Sequence, residues 1–185
     1  MRKLFCALSL MSALVFALAV HAAAPANFAG TWTLDKSKSQ GLSGRMQNAE
    51  SVSWVITQTA KDITIEEKVT GGNPPAGGAP GGAGPGGGPG RGMGGGFGGP
   101  RTFNLDGSET SGDMGRGKFV RKATLSSDGK TLELTTKTTF QGPDGEVTSN
   151  SNDKLSLSGD GKTLTVTRHS ESPRGNQDST LVFTK

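Results

Sequence analysis

From Phe28 onward the chain alternates apolar and polar positions with a period of two, the repeat of a β-strand that buries one face. Residues 28–34 put Phe28, Gly30, Trp32 and Leu34 in one phase. Residues 51–59 do the same with Val52, Trp54, Ile56 and Gln58, and residues 62–69 with Ile63, Ile65, Glu67 and Val69. The tight Ala60-Lys61 connection predicts that the last two form a hairpin. Further along, residues 101–105 carry Phe103 and Leu105 in phase, and residues 118–126 carry Phe119, Arg121, Ala123 and Leu125. Residues 131–140 set Leu132, Leu134, Thr136, Thr138 and Phe140 against a polar opposite face. Residues 146–158 end in Leu155 and Leu157, residues 162–170 bring Leu164, Val166 and Arg168 together, and residues 180–185 close with Leu181 and Phe183. No long stretch spaces its apolar residues by three and four, so helices are not expected.

This pattern predicts an all-β protein of about eight or nine strands. Asp128-Gly129, Pro143-Asp144-Gly145 and Gly159-Asp160-Gly161 are turn sequences, so neighbours in sequence should pair as neighbours in space. An antiparallel meander of that length must protect two edges. An antiparallel up-and-down β-barrel does so by closing on itself. A two-sheet sandwich is the alternative, but its crossovers need long connections, and only residues 71–100 and 170–179 offer them.

Composition divides the 185 residues further. Met1-Arg2-Lys3, an apolar run to Val20, and small residues at Ala22–Ala24 read as a signal peptide over residues 1–22, cleaved after Ala22, Ala23 or Ala24. An uncleaved anchor is the other reading of that run. Cleavage implies an exported protein, periplasmic or extracellular, without stable membrane insertion afterwards. Residues 71–100 hold 17 Gly and 6 Pro, too little apolar surface to offset the entropy of ordering them. They read as a flexible loop in a single domain spanning residues 23–185. The net charge of +4 falls to +2 once Arg2 and Lys3 are set aside, and the charges are interspersed, so nucleic acid is not an expected partner. Cys6 lies inside the leader, and His21 beside its cleavage point. The remainder therefore has no disulfide, no zinc–thiolate site and no cysteine nucleophile, and His169 as its only histidine. No metal and no cofactor are expected. Oligomeric state is not legible.

The opening FAGTWTLDKSKS carries Gly30-Thr31-Trp32 and resembles the F-x-G-T-W-x-L-(D/N)-x-x-K-S start of a family of exported bacterial lipocalin-like proteins. Leu105-Asp106-Gly107, the run from Leu157 to Val166 and the terminal Val182-Phe183-Thr184-Lys185 are similar to the rest of that pattern. With no Tyr in the chain, the Thr-Asp-Tyr motif of lipocalins has no counterpart. The resemblance implies a calycin-like barrel in which the glycine permits close backbone approach and Trp32 plugs the closed end. It implies no ligand and no reaction.

Several positions in phase with apolar neighbours are polar: Glu67, Arg121, Thr136, Thr138, Ser149, Ser151, Asp153 and Arg168. If that phase faces inward, the barrel holds paired or solvated charges and a polar pocket. Trp32, Trp54, Glu67, Arg121, Thr136, Asp153 and Arg168 are then the candidate ligand-binding residues, Arg121 and Arg168 contacting an anion. If a bulge shifts the register, the same residues face solvent. His169 falls out of phase and should point outward. Glu67 and Asp153 would suit glycoside chemistry only if the fold joined them. The residues 35–39 loop turns the chain off the first strand. The expectation is a non-catalytic barrel that binds a small polar or amphipathic molecule. An envelope-associated interaction protein acting through its surface or its Gly-rich loop is the alternative.

Overall fold

The computed structural model describes residues 26–71, 99–114, 117–142 and 145–185. Ten strands form one antiparallel sheet: β1 (Gly30–Leu34), β2 (Ser51–Gln58), β3 (Asp62–Thr70), β4 (Arg101–Asn104), β5 (Thr110–Met114), β6 (Gly117–Leu125), β7 (Thr131–Gly142), β8 (Gly145–Leu157), β9 (Thr163–Ser172) and β10 (Gly175–Thr184). Each strand pairs with its sequence neighbour, except β4 with β5, and the first strand pairs with the last. The sheet thus curls into a nearly closed up-and-down barrel. Its single seam runs between β4 and β5, where no ladder forms, although β4 still lies against both β5 and β6.

Three features depart from the sequence expectation. The strands number ten rather than eight or nine, because Thr-Ser-Gly-Asp-Met builds β5 without an apolar alternation to announce it. Residues 170–179 are no long connection: β9 and β10 run through them as paired strands, from Ser172↔Gly175 onward. A short helix, α1 (Gly44–Asn48), sits between β1 and β2, with the Ser43 side chain accepting from Met46 N–H as its N-cap. The signal peptide expected over residues 1–22, residues 72–98 of the expected flexible loop with Arg91, Met93 and Phe97, and Pro143-Asp144 lie outside the described residues.

The inward phase runs without a slip through the long strands. Cross-strand partners share a face, so the ladder can be read as rows. Leu125, Leu132, Leu155, Val166 and Leu181 make one row across five strands. The next row is Ala123, Leu134, Asp153 and Arg168, and the one beyond it Arg121, Thr136, Ser151 and Ser170. The register-shift reading is therefore not what forms. Apolar rows fill one end of the barrel with Phe28, Trp32, Ile56, Ile63, Leu164 and Phe183, all buried. Each such side chain contributes ~1.5–3 kcal/mol through area removed from water.

Gly30-Thr31-Trp32 belongs to this packed end. The Trp32 Nε1–H donates to Phe28 O at 2.8 Å, so the indole is both buried and satisfied. The Lys185 ammonium lies 4.3 Å from the centre of the Trp32 ring and donates to Ala29 O at 3.1 Å. At Gly30, with φ 136°, a Cβ would come within 2.8 Å of Lys185 Cε, so the glycine makes room for the chain's last residue. Asp35 turns the chain off β1: its carboxylate accepts from the Ser37 hydroxyl at 2.6 Å and from the Ser37 and Lys38 amides, with Lys38 Nζ at 3.0 Å. The Ser37 and Lys38 hydrogen bonds hold its pKa down at about 2.

Candidate functional site

Beyond the Leu134–Asp153 level the inward positions turn polar, and the barrel becomes hollow. A cavity of about 480 Å³ opens there beneath α1, with Glu67 of β3, Arg101 of β4, Arg121 of β6, Thr136 of β7, Ser151 of β8 and Arg168 of β9 around it. Larger hollows of about 640 and 600 Å³ lie on the outer face of β6–β9. They are shallower and lined by exposed polar side chains such as Lys154 and Thr135.

Trp54 forms the boundary between the two ends. Its ring meets Phe183 at 4.7 Å between centroids on the packed side. Toward the hollow side the guanidinium groups of Arg101 and Arg168 stand 5.4 and 5.7 Å from its centre, within cation–π range. Its Nε1–H donates to Glu67 Oε2 at 3.2 Å.

Asp153, 1 % exposed, anchors the cations. Arg168 grips it with two donors, Nε to Oδ1 at 2.6 Å and Nη2 to Oδ2 at 2.7 Å, while Arg101 Nη1 stands 3.5 Å from Oδ2. Burial pushes the Asp153 carboxyl up, but the Arg168 hydrogen bonds and the charges of Arg168 and Arg101 outweigh it and hold its pKa below the usual range. Burial pulls Arg168 down as well; the bonded Asp153 more than reverses this and raises it. Arg101 stays lowered, by burial first and by repulsion from Arg168, with Asp153 opposing.

Arg121 is different. Burial and the nearby Arg101 lower it, and no carboxylate pairs with it among the described residues. Its Nε is buried with no hydrogen-bond partner there. Aromatic rings hold it instead: its guanidinium carbon lies 4.0 Å from the Phe119 ring centre and 6.0 Å from that of Phe103, the latter across the seam. The Phe119 ring in turn rests over Gly112 of β5, where a Cβ would come within 2.8 Å of Cζ. Among the described residues three guanidinium groups, those of Arg101, Arg121 and Arg168, stand with two carboxylates, Asp153 and Glu67, and the exposed Arg45 and Glu171 add one charge of each sign to the lining, leaving one positive charge in excess.

Of the seven residues singled out from sequence, Glu67, Arg121, Thr136 and Arg168 line the cavity. Trp54 and Asp153 point inward but are fully buried beneath it, and Trp32 lies away from it in the packed end. Arg168 lines the wall with its main donors already committed to Asp153. Glu67 and Asp153 serve Trp54 and the arginines, respectively, so their carboxylates form no acid–base pair. His169 is on the outer face, with Nδ1 2.5 Å from Asp178 Oδ1 and Nε2 3.5 Å from Glu171 Oε1. Arg101 was missed: it is in phase with Phe103, a signal the alternation carried but that a charge at the edge of a Gly-rich tract obscured. Met46 of α1 and Met114 of β5 also line the cavity. They come from segments with no strand or helix periodicity. Among the described residues no three His, Cys, Asp or Glu side chains are placed to hold a metal ion.

The class these features define is an up-and-down β-barrel, packed at one end and holding a cationic, hydroxyl-lined cavity at the other. No family profile matches the chain, and no curated protein does. Among solved structures it is similar to zebrafish ileal bile acid-binding protein complexed with cholic acid. That protein is 14% identical, with 85% of this chain and 98% of that one covered and a TM-score of 0.46. The fold assignment rests on the strand order and register described above.

Proposed function

We propose that this is an exported, lipocalin-like barrel that binds a small polar or amphipathic molecule in its internal cavity and catalyses nothing. The observation that carries the reading is Arg121, which lines the cavity and has no carboxylate beside its guanidinium among the described residues. An anionic ligand in the cavity would give this cation the kind of charge-assisted hydrogen bonds that Asp153 gives Arg168. The volume of about 480 Å³ lies within the range of small-molecule sites, about 300–1,000 Å³. Asp153 and Glu67 already have partners and His169 faces outward, so the site offers recognition rather than proton transfer. The leader over residues 1–22 supports export to the periplasm or beyond.

A thermal-shift and native mass spectrometry panel of small carboxylates, phosphates, sulfonates and neutral analogues tests the cavity, run on the purified protein and on Ser151→Trp. At least one compound should raise the melting temperature of the first and not of the second. A panel silent on both overturns the proposal. Intact mass of the protein from a periplasmic fraction should place its N-terminus at Ala23, Ala24 or Pro25; an intact Met1 would refute export by cleavage.

A further inference from the structure

We infer that the occupant of this cavity is a hydroxylated organic acid carrying one carboxylate, the class of sugar acids, and that hydrocarbon-chain acids are rejected. The inference rests on the cavity reading above and adds the ligand's chemistry.

The structure contains its own template for the acid end. Arg168 holds the Asp153 carboxylate through Nε and Nη2. Arg121 lines the cavity with no carboxylate on its guanidinium among the described residues. The guanidinium is already held against Phe119, so a ligand carboxylate meets a cation whose ordering entropy has been spent in folding. The excess of one positive charge is balanced by a single negative charge.

The rest of the ligand is read from the row in which Arg121 sits. Register sets Arg121 opposite Thr136, Thr136 opposite Ser151, and Ser151 opposite Ser170, straight across β6, β7, β8 and β9. Partners in such a row stand ~4.5–5.5 Å apart. The wall therefore leads from a cation through three successive hydroxyls, and Ser149 adds a fourth. A hydroxylated carbon chain lying on this row exchanges hydrogen bonds with each of them. An alkyl chain strips water from the same hydroxyls and returns nothing. Among the described residues only Met46 and Met114 offer apolar side chains to the cavity, too few to reward an alkyl chain.

Titration calorimetry on the full purified chain with D-gluconate, D-glucose and octanoate separates the contributions. Gluconate should bind at least roughly tenfold more tightly than either of the others. Glucose reports the carboxylate, octanoate the hydroxyls. Arg121→Gln should weaken gluconate by roughly tenfold or more, and His169→Gln, on the outer face, should leave it unchanged. If Arg121→Gln does not fold, the double variant Ser151→Ala, Ser170→Ala carries the test: gluconate should weaken while octanoate does not. Octanoate binding as tightly as gluconate, or glucose doing so, overturns the inference. So does no gluconate binding, or a folded Arg121→Gln with unchanged affinity. When some other compound of the wider panel binds and Ser151→Trp blocks it, only the sugar-acid assignment falls. When no compound binds at all, the cavity reading falls with it.

Discussion

At the end of the barrel that adjoins the Ser126–Thr131 turn, β7 and β8 face inward with Leu132 and Leu155; four residues along the same strands they face inward with Thr136 and Ser151. β9 makes the same change from Leu164 and Val166 to Arg168 and Ser170, β6 from Ala123 to Arg121, and β3 from Ile65 to Glu67. All five change at about one level, the Trp54–Asp153–Arg168 layer. Below it the interior is close-packed; above it the interior is a cavity. One register serves both ends because side-chain direction is set by the ladder and not by polarity. Stability is concentrated in the apolar rows, while the polar rows surround the cavity in which the proposed ligand would sit.

That division predicts unequal responses to substitution. Trp32→Ala, at the packed end, should cost about 3–5 kcal/mol, read as a lower urea midpoint. Asp153→Ala removes the shared anion from two buried cations and should cost about 3–5 kcal/mol. Asp153→Leu combined with both Arg168→Met and Arg101→Met, which removes the two cations along with their anion, should recover much of that loss. If the triple variant costs as much as the single change, the layer is held together by something other than its charges. Leu134→Ala should cost about 2–4 kcal/mol, whereas Ser151→Leu, one row away on the neighbouring strand, should stay within about 1 kcal/mol while abolishing ligand-induced stabilisation.

Two pH effects follow, of opposite sign. The Asp153 pKa is lower folded than unfolded, so its contribution is present above the unfolded value near 3.8 and is lost as pH falls through the folded one. Urea midpoints should therefore drop below about pH 4, and less steeply in the triple variant. His169 is raised, by its hydrogen bond to Asp178 first and by Glu171 further, so its contribution is present below the unfolded value of 6.5 and fades as pH rises through the folded one. Being exposed, it should matter little to stability. An NMR titration should find its pKa above 6.5 and see Asp178→Asn bring it back down.

The alternating phases of the long strands were legible in the chain, and so were the turns that join them. Ser126-Ser127-Asp128-Gly129-Lys130-Thr131 and Ser158-Gly159-Asp160-Gly161-Lys162-Thr163 close the same way, each serine hydroxyl 2.5 Å from the aspartate two residues on. Polar residues in an inward phase were visible too, which is why Arg121 and Arg168 could be singled out. β5 was not legible: Thr-Ser-Gly-Asp-Met has no apolar alternation, and it becomes a strand through its ladder to β6 and the ring of Phe119 over Gly112. Nor was α1, whose five residues are too few to show a period and are held by Ser43 and by Lys36 donating to Gln47 O and Ala49 O.

What the sequence determined by itself is local: strand phase, turn position, and which strands carry charge among their apolar neighbours, because these depend on residues two to four apart. Which of the three inward arginines stays unpaired among the described residues was decided only by tertiary structure. Arg101, Arg121 and Arg168 are alike along the chain, on β4, β6 and β9, and differ only in what the curled sheet sets beside them. Asp153 reaches two of them and not the third, because side-chain ionic contacts act over a few ångströms while the residues they join stand tens of positions apart.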